Sequence, residues 1–174
     1  SAHLTGLIHV ASGSNLHLVE EVRCQGDVLG NIRWGVCTGA RSDVRRLRVI
    51  RRGGTSIFHR TVVQQQTDSR FEDVFCCSGT RLMRNEIAAS HEGSGCHTEL
   101  LGAYVARGNE HVDNHTTIDH RIEDCTSREV YRGVLAEKSK GIFTGMIHVH
   151  QDAQRTDAKQ SNDSILLSGE AEAN

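Results

Sequence analysis

The residues best suited to chemistry alternate along the stretch 111–120, HVDNHTTIDH. Residues two apart in a β-strand share one face, so a strand here would carry a polar face made of His111, Asp113, His115, Thr117 and Asp119. Imidazole and carboxylate groups on one face could bind a divalent metal, with His111, Asp113 and His115 as candidate ligands. Spacing along one strand is a weak metal signal, however, and we favour a solvated or subunit-contact face.

A further metal or nucleophile candidate is Cys125, which lies close in sequence to His120. The nearby Arg121 and Arg128 would favour its thiolate, whereas two neighbouring acidic residues oppose it. Iron–sulfur clusters are usually held by several thiolates at compact spacing, and the sequence has no such group. We therefore interpret Cys125 as a structural or incidental cysteine.

The chain has six cysteines, which are Cys24, Cys37, Cys76, Cys77, Cys96 and Cys125. No CxxC pair occurs, and the adjacent Cys76 and Cys77 would point to opposite faces of a strand, a poor arrangement for a disulfide. The sequence does not open with a signal peptide, and no apolar run approaches the length of a membrane-spanning helix, which is about 20 residues. We therefore expect reduced cysteines and a cytoplasmic protein.

The formal net charge is −2, so the overall balance does not drive the chain towards nucleic acid or an anionic membrane. One basic cluster stands out, made of Arg45, Arg46, Arg48, Arg51 and Arg52. Alternation puts Arg46 and Arg48 on one face of a strand, with Leu47 and Val49 on the other. The cluster could bind phosphate, but it has no interleaved aromatic residues that would stack on bases. We predict a solvated strand face, and neither nucleic acid nor membrane as a partner.

Sequence motifs of common catalytic sites are absent. The glycines form neither GxGxxG nor GxxxxGK[ST], and the sequence contains neither GxSxG nor HExxH. Ser, His and Asp are abundant, but a catalytic triad requires positions in space. We expect a protein that is not an enzyme.

Short strands separated by Gly, Asn, Asp and Ser turns recur along the whole chain. In the stretch 141–150, Phe143, Gly145, Ile147 and Val149 alternate with more polar residues, which is the pattern of a half-buried strand. No segment keeps the i, i+3, i+4 apolar spacing of a helix. The pattern predicts an all-β fold, either a sandwich or barrel or a parallel β-helix, and the many small inward residues modestly favour the β-helix.

Two strands carry more specific expectations. In the stretch 111–120 the second face holds Val112 and Ile118 as core residues. In the stretch 16–22 the apolar pattern breaks, so that Leu16 and Leu18 would be followed, after a frame shift, by Val19 and Val22.

Several segments of the sequence resemble the SufD branch of the SufB/SufD family, which belongs to the SUF system of iron–sulfur cluster assembly. The most specific are HVDNHTTIDH (111–120), TSREVYRGVL (126–135), GIFTGMIHV (141–149) and AQRTDAKQSNDSILLSGEAE (153–172). Weaker resemblance covers ELLGAYVARG (99–108), RTVVQQQTDSRFEDVF (60–75) and IHVASGSNLHLVEE (8–21). Together these segments span nearly the whole chain.

The resemblance implies a right-handed parallel β-helix and a non-enzymatic scaffold. It implies SufB-like and SufC-like subunits as partners, with the iron–sulfur cluster handled by the complex and none bound by this chain alone. The family's Cys-Ser-His-Gly motif has no counterpart in this sequence, so no family site residue is carried over. We expect one core domain, residues 1–174, without the family's terminal helical regions and last rungs.

The alternative to a scaffold subunit is a stand-alone β-helix that serves as a structural or interaction module. An unpaired strand edge tends to pair with another chain. The C-terminal edge around Ile165, Leu166 and Leu167 is therefore the candidate interface for self-association.

Overall fold

The computed structural model describes residues 1–23, 26–51 and 54–174. Each turn of the chain contributes one strand to each of two sheets. The strands are β1 (Ala2–Val10), β2 (Asn15–Arg23), β3 (Leu29–Thr38), β4 (Asp43–Arg51), β5 (Ser56–Gln65), β6 (Arg70–Ser78), β7 (Leu82–His91), β8 (His97–Ala106), β9 (His111–His120), β10 (Thr126–Leu135), β11 (Lys140–Val149), β12 (Asp157–Leu166) and β13 (Glu172–Ala173).

The odd-numbered strands form a seven-stranded sheet and the even-numbered strands a six-stranded sheet, each stacked in chain order. All pairings are parallel, and partners such as His111 and Lys140 lie about one turn apart in the sequence. The fold is thus an all-β parallel β-solenoid of about six turns, which confirms the predicted class and excludes the sandwich and the barrel. No helix occurs among the described residues, and this part of the chain therefore has no helix that could cross a membrane.

Alternating residues of each strand point into a narrow interior between the two sheets. In β9 the inward residues are buried, and Val112 and Ile118 are core members as predicted. The chain bends between β9 and β10, where Asp124 adopts a positive φ of 61°. Asp and Asn tolerate this left-handed conformation better than most residues.

The frame shift predicted for β2 is wrong. The strand runs unbroken in register with β4, so Leu18, Glu20 and Val22 share the inner face, while Val19 is exposed. Glu20 can occupy an inner position because Trp34 Nε1 donates a hydrogen bond to it at 3.2 Å.

The prediction of a solvated basic face on β4 is also wrong for two of its arginines. Arg46 and Arg48 point inward and are 2% and 0% exposed, whereas Arg45 and Arg51 are exposed. The alternation was correct, but the faces were reversed, because Asp73 supplies a buried counter-charge from the next turn. Arg52, like Cys24, lies outside the described residues.

Candidate functional site

The interior of the solenoid holds a buried ion pair between two arginines and one aspartate. Arg46 Nε lies 2.6 Å from Asp73 Oδ1, and Arg48 contacts both oxygens of the same carboxylate. Burial opposes ionisation of Asp73, but the two guanidinium groups outweigh it and hold the pKa of this carboxyl at about 2. Asp73 is therefore ionised at neutral pH, and its charge balances one of the two arginines.

Further polar side chains complete the surroundings of Arg48. Its Nη1 donates to Asn85 Oδ1 at 2.7 Å, and its guanidinium carbon lies 5.0 Å from the centre of the Phe75 ring. Towards the first turn, His59 Nε2 lies 3.0 Å from Glu20 Oε1. Burial lowers the pKa of His59, so it favours the neutral imidazole. The arrangement is a fixed internal network whose groups are held by partners on both sheets.

One interior acid lacks such support. Glu129, on β10, accepts a hydrogen bond from Thr116 Oγ1 at 3.2 Å through Oε2, while its Oε1 has no partner among the described residues. Its burial raises its pKa to about 7. Glu129 therefore carries a proton over part of the physiological pH range.

At the other end of the strands, two histidines of neighbouring turns meet inside the solenoid. His91 and His120 are paired in register on β7 and β9, and their Nδ1 atoms are 3.1 Å apart. His91 Nε2 lies 2.8 Å from Thr98 Oγ1, and His120 Nε2 lies 2.9 Å from Ser127 Oγ. Since one imidazole must donate between the rings and the other accept, the two tautomers are coupled.

Two buried cysteines complete this group, which we call the thiol–imidazole cluster (His91, Cys96, His120 and Cys125). Cys96 and Cys125 lie side by side just before β8 and β10, with their sulfurs 3.1 and 3.3 Å from the Gly93 carbonyl oxygen. A hydrogen bond from Cys96 lowers the pKa of Cys125, with His120 and His91 adding to the effect, and it raises the pKa of Cys96. Cys125 is thus the more acidic thiol of the pair.

Thiolate and imidazole groups are the ligands that soft and borderline metals prefer, so the cluster has the donor types of a thiophilic site. All four side chains are buried. They are therefore shielded from solvent in this structure. The cluster is a hydrogen-bonded part of the core.

The comparisons with known proteins agree on one family. The model of the SufBD core domain, of SUF system FeS cluster assembly, matches residues 1–174. The chain belongs to the SufBD core domain family. It is therefore a member of a family involved in iron–sulfur cluster assembly.

Individual relatives are more distant. An iron–sulfur cluster assembly SufBD family protein of Synechocystis is 27% identical over 86% of this chain and 33% of its own length. The iron–sulfur cluster assembly protein SufD of Escherichia coli is 20% identical over 99% of this chain and 41% of its own length. The chain thus spans less than half the length of these curated SufBD relatives.

Of the weak metal candidates named from the sequence, two lie together on the surface of this SufBD core and Cys125 lies in its interior. Asp113 and His115 are neighbours on the outer face of β9, with His115 Nε2 2.8 Å from Asp113 Oδ1, but Arg84 takes the other oxygen at 2.6 Å. His111 lies at the start of the same strand. Cys125 is inside the solenoid and shares no site with these three residues.

The interface candidates lie at the last long strand of this SufBD core. Ile165 and Leu166 end β12, which is the terminal strand of the six-stranded sheet, and Leu167 follows it. All three side chains are exposed. This end of the six-stranded sheet therefore presents exposed apolar side chains beside an unpaired strand edge.

Sequence reasoning missed the interior network and most of the thiol–imidazole cluster. The usable signal was the length of one turn, because residues paired in register, such as Arg46 with Asp73 and His91 with His120, lie 27 and 29 residues apart. Without a fixed repeat length, these pairs could not be recognised.

Proposed function

We propose that this SufBD core acts as a SufD-like scaffold that takes part in iron–sulfur cluster assembly through protein–protein contacts. The observation that carries this proposal is the similarity to a SufD protein over 99% of the chain, joined to the match of the family model over its whole length. The solenoid adds support, because its stacked parallel strands form two broad sheet faces that partners could contact. In this function the chain catalyses no reaction itself.

The proposed partners are a SufB-like and a SufC-like subunit, and the proposed compartment is the cytoplasm. The five described cysteines, which are Cys37, Cys76, Cys77, Cys96 and Cys125, are free thiols. Free thiols fit a reducing compartment. Nucleic acid and membrane are not among the proposed partners, because the arginines at the centre of the basic cluster are buried against Asp73.

The iron–sulfur cluster is cargo of the complex in this proposal. Cys96 and Cys125 are adjacent thiols, but the other described cysteines lie elsewhere on the solenoid. Anaerobic incubation of the chain alone with iron and sulfide should therefore yield little cluster absorption. Stoichiometric absorption that is lost in Cys125→Ser would refute this part of the proposal.

Co-expression tests the scaffold function. The chain is produced with an affinity tag beside untagged SufB-like and SufC-like subunits from one SUF-containing organism, and retained proteins are identified after purification. We expect the SufB-like subunit to be retained. Recovery of the tagged chain alone, in a folded state, would overturn the proposal.

A second candidate function is a self-associating structural module. It is favoured by the exposed apolar side chains of Ile165 and Leu167 beside the edge of β12. An edge strand with apolar neighbours is a common pairing surface. Light scattering of the isolated chain distinguishes the two, since this alternative requires a dimer in the absence of any other protein.

A further inference from the structure

Three metal-ligating side chains converge on the outer face of the seven-stranded sheet. Asp119 lies on β9 and is paired in register with His148 on β11, and His150 follows directly after β11. Because residues 148 and 150 are two apart, their side chains lie on the same side of the sheet. The rings of the two histidines are in contact, with centroids 4.3 Å apart.

The three side chains approach one another at distances close to those of a coordination shell. His150 Nε2 lies 2.7 Å and His148 Nδ1 3.2 Å from the same oxygen, Asp119 Oδ1. One ligand atom from each residue can be chosen so that all three lie within 4.8 Å of one another. A metal with bonds of about 2.0–2.1 Å to nitrogen and oxygen separates adjacent ligands by about 3.0–3.4 Å. Side-chain rotation alone can therefore bring the three groups onto one ion.

The Asp119 oxygen that does not face the histidines is bound by a charged neighbour. Arg121 Nε lies 2.6 Å from Asp119 Oδ2, and Arg121 Nη1 lies 2.9 Å from Glu92 Oε1. This contact fixes Oδ2 and leaves Oδ1 towards the histidines, as outer partners of metal ligands commonly do. Glu92 offsets the positive charge of Arg121, which would otherwise repel a cation.

We propose that Asp119, His148 and His150 form a binding site for a divalent first-row transition metal of the zinc and iron(II) class. Two imidazoles with one carboxylate suit these ions, whereas magnesium and calcium prefer oxygen ligands. Both histidines are exposed, so the remaining coordination positions are open to water or to a ligand from a partner. This site is independent of the scaffold function and of the thiol–imidazole cluster.

A second acid–histidine group on the same sheet face provides a matched control. Asp113 and His115 are also adjacent, and Arg84 binds the Asp113 carboxylate at 2.6 Å just as Arg121 binds that of Asp119, but this group has a single histidine. It therefore offers one histidine fewer and is less exposed than the proposed site. Removing His115 should leave metal binding unchanged.

The test uses the full chain without a histidine tag, titrated with Zn²⁺ in a calorimeter. We expect one zinc site that is lost in the double variant His148→Ala/His150→Ala and in Asp119→Asn, but kept in His115→Ala. Arg121→Ala should weaken binding about tenfold or more through loss of the outer partner. Circular dichroism checks that each variant is folded.

Absorption of the Co²⁺-loaded protein separates this site from free thiols. The proposal predicts a spectrum without sulfur-to-metal charge transfer, unchanged in Cys37→Ser and Cys76→Ser. Zinc binding of equal strength in the double histidine variant, or no binding by the wild-type chain, would overturn it.

Discussion

The ring of Tyr131 lies against Gly102, its register partner on the neighbouring strand, so that a Cβ atom added to Gly102 would stand 2.2 Å from Tyr131 Cδ1. Two residues further along the same pair of strands, Gly133 accommodates Tyr104 in the same way, with its added Cβ 2.6 Å from Tyr104 Cζ. The narrow interior thus accepts two large rings only because each faces a glycine.

This packing predicts that Gly102→Ala destabilises the protein. Tyr131 is fully buried, so its ring cannot move aside, and overpacking of this kind costs about 1–3 kcal/mol. Urea unfolding followed by circular dichroism measures the loss. Gly169→Ala is the control, since nothing lies within 4 Å of its added Cβ. Equal stability of the two variants would contradict the tyrosine–glycine packing.

The buried ion pair predicts a larger effect at Asp73. Asp73→Asn keeps the shape of the side chain but removes the carboxylate charge that directly contacts Arg46 and Arg48 inside the solenoid. Removal of one partner from a buried pair costs about 3–5 kcal/mol. The free energy of unfolding in urea should fall by that amount. Asp43→Asn, which loses only an exposed contact to Arg45 at 3.3 Å, should leave the unfolding midpoint almost unchanged.

The raised pKa of Glu129 predicts a pH-dependent stability. Its pKa rises from 4.5 to about 7 on folding, so the folded chain binds more protons between those values. The contribution of this group to stability therefore falls as the pH rises through that window, by about 3 kcal/mol in total. Glu129→Gln should match the wild type near pH 4.5 and exceed it at pH 8. A difference between the two proteins that stays constant with pH would contradict this account.

The placement of the cysteines predicts their reactivity. Cys37 and Cys76 are partly exposed, whereas Cys77, Cys96 and Cys125 are buried. N-ethylmaleimide should modify the first two in the native protein and the buried three only after unfolding, as mapped by mass spectrometry of peptides. Rapid native labelling of Cys125 would show instead that the thiol–imidazole cluster opens to solvent.

The sequence was sufficient where one strand face is clearly more apolar than the other. In β9, Val112 and Ile118 mark the inner face, and the polar residues at alternate positions, such as His111, His115 and Thr117, lie on the outer face as predicted. In β4 both faces hold apolar residues, and Leu47 points outward at 36% exposure while Arg48 is buried. Periodicity could not choose between these faces, because the choice depends on Asp73 in the next turn.

The candidate site was harder to predict for the same reason. His120 and Cys125 are close in sequence, but His91 and Cys96 join them only through the stacking of turns. The pair of His148 with Asp119 likewise depends on the register between β9 and β11. Family resemblance supplied the solenoid, whereas these contacts required the register of every strand.

Light scattering during size-exclusion chromatography, on this chain mixed with a SufB-like subunit of the same SUF system, tests the central claim most directly. The scaffold account predicts a new peak with the mass of one chain of each, and Ile165→Asp/Leu167→Asp shows whether the edge of β12 contributes to it. Two separate peaks with the masses of the unmixed proteins, obtained with both proteins folded, would contradict the account.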